Sequence, residues 1–177
     1  LNCSALSNCS FIFFSSGTGQ SARETNPLLP IFSQISSAIC GMKGEIIFID
    51  ANIFLEFILE DKKISECENK LNQIKNNEIM AITSDFIIYT CLIQIQNKIK
   101  DPEKMKNFIL LINSLNGLEI IIPYLTDIYN AVEISKKENL DFDDSLVLSC
   151  MKSANINQLV SFDKHFDKIK TIKRIEP

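Results

Sequence analysis

Residues 46–52 read IIFIDAN, an apolar run of β-branched and aromatic residues that ends on an aspartate. A short run of this kind, preceded by Gly44 and followed by Asp50, is typical of a buried β-strand. A helical pattern of apolar residues begins directly afterwards, near residue 53. A strand followed directly by a helix indicates an α/β fold. Because ligands collect at the carboxyl ends of strands in open α/β sheets, we expect Asp50 to lie at the functional edge of the sheet.

Strand-like and helix-like segments alternate along the rest of the chain. Further strands are predicted at residues 79–82, 118–122 and 158–162, with an edge strand at 171–175. Helices are predicted at 53–59, 64–74, 84–99 and 102–115, and after the expected N-caps Thr126 and Asp143. Strands separated by helices need crossover connections, so we expect an α/β three-layer sandwich with a mainly parallel sheet of four to five strands.

Two details of the helices are also predicted. Ser84 is expected to cap the long middle helix, because its hydroxyl can accept a hydrogen bond from a free amide of the first turn. The helix after Thr126 is expected to bury Ile128, Ala131 and Val132, which recur at helical spacing.

Composition limits the possible classes of protein. The 177 residues suit about one domain. The formal net charge of -4 gives no global attraction to nucleic acid, so such a partner would be held by local lysines and a bridging metal. The six cysteines show no CxxC pair and are interpreted as reduced, which predicts a cytoplasmic protein. No apolar run approaches the ~20 residues of a membrane span.

Residues 1–41 differ from the rest of the chain. Arg23 and Glu24 are their only charged residues, whereas the charged and patterned sequence begins at Met42. We therefore interpret residues 1–41 as a non-native or disordered extension, and residues 42–177 as the functional domain.

Asp50, Asp144 and Asp163 all stand at the ends of predicted strands or helices. Each has a structural explanation by itself. Asp50 can cap a helix, Asp144 can be stabilised by the positive end of a helix dipole, and Asp163 can form a turn. Together they are expected on one rim of the sheet, where carboxylates repel one another unless a cation bridges them. Mg²⁺ or Mn²⁺ prefers oxygen ligands, and such an ion suits hydrolysis of a phosphodiester.

The order of these residues resembles that of the PIN-domain nucleases, particularly the VapC-type toxins of toxin–antitoxin pairs. The resemblance covers residues 46–176 and is carried by Asp50-x-Asn52, by Asp144-Ser145 opening a helix, and by Ser161-x-Asp163 with Phe166. It implies a PIN-like fold, a divalent-metal site and single-stranded RNA as the substrate. Asp50, Asp144 and Asp163 would then be the catalytic, metal-coordinating acids, supported by Asn52 and Ser161.

The same resemblance implies protein partners. A small antitoxin protein is expected to occlude the acidic cleft. A homodimer is expected to use the apolar surface of the helices at residues 84–115, which include the apolar run at 86–95.

The sequence departs from the family at one position. The family usually has a glutamate about six residues after the serine that opens the long middle helix, and counting from Ser84 gives Thr90. Thr90 can hydrogen-bond a metal-bound water but carries no charge, so a second metal would be held weakly. Other acids that could contribute are Glu56, for which a solvated surface position is preferred, and Asp85 and Asp143, which can also act as caps.

Two expectations about function follow. The first is a metal-dependent endoribonuclease, and the second is a catalytically weakened RNA- or protein-binding module that has lost the usual glutamate at Thr90. A haloacid-dehalogenase-like phosphatase ranks below both, because that family needs an aspartate where Asn52 stands.

His165 is expected on the surface or in packing. The basic residues of the tail could contact RNA or form a solvated face: Lys164, Lys168, Lys170, Lys173 and Arg174.

Overall fold

A computed structural model describes residues 46–177 as one α/β unit with a central sheet of five parallel strands. The interpretation of residues 1–41 and the predicted domain boundary at Met42 lie outside the described residues. The strands are β1 (Ile46–Ile49), β2 (Met80–Ser84), β3 (Leu118–Ile121), β4 (Gln158–Val160) and β5 (Lys173–Ile175). They lie in the order β3-β2-β1-β4-β5, and all neighbouring pairs are parallel.

Six α-helices flank the sheet. They are α1 (Ala51–Ile58), α2 (Ile64–Lys75), α3 (Asp85–Lys98), α4 (Pro102–Ser114), α5 (Leu125–Glu138) and α6 (Phe142–Ser153), and a short 3-10 helix follows at Lys164–Lys168. The predicted α/β class with a parallel sheet between helices is confirmed. None of the helices within residues 46–177 combines the length and the apolar character that a bilayer crossing demands.

The strand order places a crevice at one edge of the sheet. The chain adds β2 and β3 on one side of β1 and then returns to add β4 and β5 on the other side. The order therefore reverses between β1 and β4, and ligands in open α/β sheets bind at the carboxyl ends of the strands at such a point. The backbone amide of Asp50 donates to the carbonyl of Val160 at 3.1 Å, which holds the two strand ends together.

Aromatic and aliphatic side chains fill the core on both faces of the sheet. Phe48 and Ile49 of β1 are fully buried, and Phe54 meets Phe108 edge-to-face with ring centroids 6.1 Å apart. Burying one such side chain contributes about 1.5–3 kcal/mol. The described cysteines, Cys67, Cys91 and Cys150, are buried free thiols, and burial raises the pKa of Cys150 to about 12.

The capping prediction for Ser84 is confirmed, but those for Thr126 and Asp143 are wrong. The Ser84 hydroxyl accepts a hydrogen bond from the amide of Ile87 at 3.3 Å. Helix α5 already begins at Leu125, so Thr126 lies within its first turn. Helix α6 begins at Phe142 with Asp141 as its N-cap, so Asp143 also lies inside the helix.

The predicted inward face of α5 is also partly wrong. Ile128 and Val132 remain 37% and 41% exposed, whereas Ala131 is fully buried as expected. The reason is that Asp127 occupies the inward position and lies buried against α6. Hydropathy alone predicts that Ile128 is buried and that the acidic Asp127 is exposed, which is the reverse of what the structure shows.

Asp127 remains buried because its polar atoms have hydrogen-bond partners. Its carboxylate accepts hydrogen bonds from the Ser153 hydroxyl at 2.5 Å and from the Tyr124 amide at 2.8 Å. Its backbone carbonyl accepts a hydrogen bond from the Ser149 hydroxyl at 2.9 Å. Since Ser149 and Ser153 belong to α6, these bonds fix the position of α6, the helix that carries Asp144 in its first turn.

We expect Asp127→Ala to lower the free energy of unfolding by about 1–3 kcal/mol, because the buried donors lose their acceptor. Urea denaturation of the two proteins measures this difference. The matched control is Glu133→Ala on the same helix, where an exposed ion pair with Lys136 is lost and a change below about 1 kcal/mol is expected. Equal losses in the two variants would contradict the structural role of Asp127.

Candidate metal centre

Asp50 lies at the carboxyl end of β1 and is buried. Its Oδ1 accepts a hydrogen bond from the amide of Ala51 at 2.7 Å, so it caps α1. Its Oδ2 accepts hydrogen bonds from the Ser161 hydroxyl at 2.6 Å and from Asn52 Nδ2 at 2.7 Å. Capping therefore accounts for one carboxylate oxygen only, and the second oxygen belongs to a network that connects two distant parts of the sequence.

Asn52 and Ser161 connect the segments that follow β1 and β4. Asn52 Nδ2 also donates to Ser161 Oγ at 2.9 Å, and Asn52 Oδ1 accepts from the amide of Phe162 at 3.2 Å. Ser161 Oγ in turn accepts from the amide of Asp163 at 3.0 Å. These bonds fix the backbone from which the Asp163 side chain projects.

Asp144 and Asp163 approach each other from α6 and from the segment after β4. A carboxylate oxygen of each and a ring nitrogen of His165 lie within 4.8 Å of one another, close enough for all three to bind one metal ion. Asp163 Oδ1 also accepts from the amide of His165 at 2.8 Å and lies 3.3 Å from His165 Nδ1. Asp50 lines the same cleft, and its charge contributes to the raised pKa of Asp144.

A cleft of about 280 Å³ opens in front of these residues. Its acidic lining residues are Asp50, Glu56, Asp61, Asp143, Asp144 and Asp163. Asn52 and Thr90 also line the cleft, so the structure brings most of the predicted site residues to one place, while Ser161 lies buried behind Asp50. Asp85 is not among the residues that line the cleft.

Burial and like charges raise the pKa of two of these carboxyls. The pKa of Asp144 rises to about 7, first because of burial and then because of the negative charges of Asp163, Asp143 and Asp50. Burial also raises the pKa of Asp50, while the hydrogen bond from Ser161 opposes that rise. Without a cation, Asp144 is therefore about half protonated near pH 7, and a bound cation would replace that proton.

The donor atoms of the cleft fit a hard divalent cation. Carboxylate oxygens are the ligands that Mg²⁺ and Mn²⁺ prefer. The raised pKa of Asp144 comes first from burial and then from the neighbouring negative charges, and a bound cation would offset both effects. Asp144, Asp163 and His165 could hold such an ion. Asp50 lines the same cleft.

Several cleft residues were missed or placed differently by sequence reasoning. Glu56 is half-buried in the cleft and not on a solvated surface as expected, and its carboxylate accepts a hydrogen bond from the backbone amide of Lys63 at 3.3 Å. Asp61, Gln94 and Lys98 were not predicted at all. The available signal was the four-residue spacing of Thr90, Gln94 and Lys98 on one helix face.

The histidine and the basic tail have distinct surroundings. His165 is exposed as expected, and it also lies beside the acids. Arg174 is half-buried and donates to Asp167, to Glu176 and to the carbonyl of Ser161, so it fixes β5 against the segment after β4. The four lysines that could contact RNA or form a solvated face are exposed: Lys164, Lys168, Lys170 and Lys173.

The model of the PIN domain family matches residues 47–172, from β1 to the residue before β5. The chain belongs to the PIN domain family. This membership sets aside the phosphatase alternative. No curated protein matches the chain closely enough to serve as a relative.

Solved structures share this PIN fold. VapC20 from Mycobacterium tuberculosis, described as a toxin that cleaves the sarcin-ricin loop, has a TM-score of 0.62 at 12% identity, covering 74% of this chain and 99% of its own. VapBC2 from Rickettsia felis, bound to promoter DNA, has a TM-score of 0.60 at 17% identity, covering 75% of this chain and 98% of its own. A toxin–antitoxin complex from Klebsiella pneumoniae has a TM-score of 0.56 at 12% identity, covering 74% and 99%. At these identities the likeness shows a shared fold.

We expect the thermal stability of the metal-free PIN domain to fall as the pH rises from about 5 to about 8. The pKa of Asp144 is about 7 in the folded state against an ordinary value of 3.8, so the native state binds more protons than the unfolded state between these values. Stability must therefore decrease with pH across this window. Melting temperatures measured in EDTA at several pH values test the sign.

Asp144→Asn is the control, since it removes the carboxyl and should flatten the profile. Glu60 and Asp167, whose pKa values are lowered by hydrogen bonds to Lys104 and Arg174, lose their stabilising effect only at more acidic pH. A metal-free stability that rises steadily from pH 5 to 8 would contradict the electrostatic description of the cleft.

Proposed function

We propose that this PIN-domain protein is a metal-dependent endoribonuclease that hydrolyses phosphodiester bonds of single-stranded RNA, with Mg²⁺ or Mn²⁺ as its cofactor. The main support is the meeting of acidic residues that are far apart in sequence. Asp50, Asp144 and Asp163 line one cleft, and their mutual repulsion helps to raise the pKa of Asp144 to about 7. A cluster of this kind is suited to a cation that neutralises it.

The proposed roles follow from the hydrogen bonds. Asp144, Asp163 and Asp50 would hold the ion, and a bound ion would lower the pKa of a water ligand and neutralise charge on the phosphate. Ser161 and Asn52 fix the Oδ2 atom of Asp50, so that this carboxylate keeps one orientation toward the cleft. Outer hydrogen-bond partners of this kind contribute to metal affinity and activity.

The choice of RNA and of a toxin-like role is supported by the comparisons. VapC20 is described as a toxin that cleaves the sarcin-ricin loop, and other similar structures are toxin–antitoxin complexes. We propose that a small antitoxin protein occludes the acidic cleft of this protein. A cytoplasmic location is supported by the buried free thiols of the described residues.

The first test is cleavage of single-stranded RNA by purified protein with Mn²⁺ or Mg²⁺. We expect Asp144→Asn to lose at least about 100-fold in activity, and Asn52→Ala about 10- to 100-fold, because a ligand charge and a supporting hydrogen bond are lost. The matched control is Asp101→Asn. Asp101 caps α4 outside the cleft, and asparagine is an equally good cap, so full activity is expected.

One outcome would favour the second candidate function, a catalytically weakened RNA- or protein-binding module. The specific observation for it is Thr90, which lines the cleft in place of the glutamate expected from the family. Protein that binds RNA but does not cut it with either metal would support this module and contradict the nuclease. Calorimetry that detects a Mn²⁺ site in the wild-type protein and no such site in Asp50→Ala would argue against the catalytically weakened module.

A homodimer is proposed from the exposed apolar side chains of α3 and α4. Tyr89 and Ile93 are each 60% exposed, and Ile109 and Leu110 of α4 are also exposed. We expect wild-type protein to sediment as a dimer and Ile93→Lys to sediment as a monomer, because a charge in an apolar interface lacks solvation. A wild-type protein that remains monomeric at high concentration would contradict this proposal.

A further inference from the structure

One wall of the acidic cleft is formed by α3. Thr90, Gln94 and Lys98 line this wall, and since they are four residues apart they lie on the same face of the helix. With a rise of 1.5 Å per residue, Lys98 lies about 12 Å along the helix axis from Thr90. We call these three residues the α3 ridge.

The ridge has a direction relative to the acids. Cys91, the neighbour of Thr90, donates its thiol hydrogen to the carbonyl of Ala51 at 3.7 Å, and Ala51 directly follows Asp50. Thr90 is therefore the end of the ridge near the acids, and Lys98 is the far end. A length of about 12 Å exceeds the ~3.4 Å advance per nucleotide of a helical strand, so the wall is long enough for more than one nucleotide.

The charges of the cleft single out Lys98. Six acidic side chains line the cleft, and Lys98 is the one basic residue among its lining residues. Within residues 46–177, Lys98 forms no salt bridge, although other lysines pair with nearby glutamates. Its ammonium group is exposed and remains able to bind an anion that enters the cleft.

Gln94 and Thr90 complement this charge. A glutamine amide donates and accepts hydrogen bonds, and a threonine hydroxyl does the same, so both suit the sugar and base edges of a strand without adding repulsion. Glu56 and Asp61 also line the cleft, so an RNA backbone that enters it meets further negative charge. A cationic contact at the far end offsets that repulsion.

We propose that the α3 ridge is a binding subsite for the RNA strand, in which Lys98 contacts a phosphate outside the reacting phosphodiester. The inference rests on the proposed function, since it assumes that the reacting phosphate lies at Asp144 and Asp163. Lys98 is a positioning residue, because it contacts the strand away from the reacting atoms. Phosphate contacts of this kind fix register and contribute affinity without reading sequence.

The test is the salt dependence of RNA binding, measured by fluorescence anisotropy on the full chain with Mg²⁺ in an Asp144→Asn background that prevents cleavage. Each phosphate contact on a single strand adds ≈ 0.7 to the slope of log K against log[salt]. We expect Lys98→Gln to reduce the slope by about 0.7 and to weaken binding roughly fivefold at 0.1 M salt. Two oligonucleotides of different sequence should lose the same factor.

Two variants serve as controls. Lys100→Gln makes the same charge change two residues away, and Lys100 is exposed outside the cleft, so its slope should equal that of the parent protein. Lys98→Arg keeps the positive charge and should retain the slope. In the cleavage-competent protein, Lys98→Gln should raise KM with kcat unchanged, because binding to the ground and transition states is lost equally.

The outcomes separate the ridge from the nuclease. An unchanged slope, affinity and KM in Lys98→Gln, with wild-type cleavage intact, would overturn the ridge and leave the nuclease standing. A lowered slope in a protein that never cuts RNA would keep the ridge and contradict the nuclease. A loss confined to antitoxin binding would assign Lys98 to a protein contact and overturn the proposal, as would the absence of any RNA binding by the parent protein.

Discussion

The carboxylate of Asp50 is buried, and a hydroxyl of Ser161 holds it at 2.6 Å. This hydrogen bond joins residues 111 positions apart in sequence, and it connects the ends of β1 and β4. A carboxylate removed from water is costly unless it is hydrogen-bonded or paired with a cation. The neighbouring acids add to this cost, because each further carboxylate in the same cleft increases the repulsion between negative charges.

The sheet topology explains why the acids meet. The order of strands reverses between β1 and β4, which opens a crevice at their carboxyl ends. Asp50 and Asp163 follow these two strands, and α6 brings Asp144 to the same crevice. The position of α6 is fixed by buried Asp127, which accepts hydrogen bonds from Ser149 and Ser153 of that helix. A structural carboxylate therefore helps to place a candidate metal-binding one.

Much of this architecture could be predicted from local sequence. β1 is a short run of β-branched and aromatic residues followed by Asp50. Ser84 caps α3 because its hydroxyl reaches a free amide. The first turn of α5 could not be predicted in the same way. Its buried residue is Asp127, an acid that hydropathy assigns to the surface, and only the partners on α6 make its burial stable.

Some residues of the candidate site could likewise be predicted from the sequence, and others could not. Asp50, Asp144 and Asp163 stand at the ends of elements, so their approach follows from the topology of a parallel sheet, and the family resemblance assigned their roles. Gln94 and Lys98 lie in the middle and at the end of α3, and their place in the cleft depends on how α3 packs beside α1. Local periodicity shows that they share a face but does not show which neighbour that face meets.

The most direct test of the shared-cation account is a crystal structure of the protein soaked in Mn²⁺, with anomalous diffraction recorded at the manganese absorption edge. The account predicts an anomalous peak between the carboxylates of Asp50, Asp144 and Asp163, at metal–oxygen distances of about 2.0–2.3 Å. Crystals with bound manganese elsewhere and no peak in this cleft would contradict it.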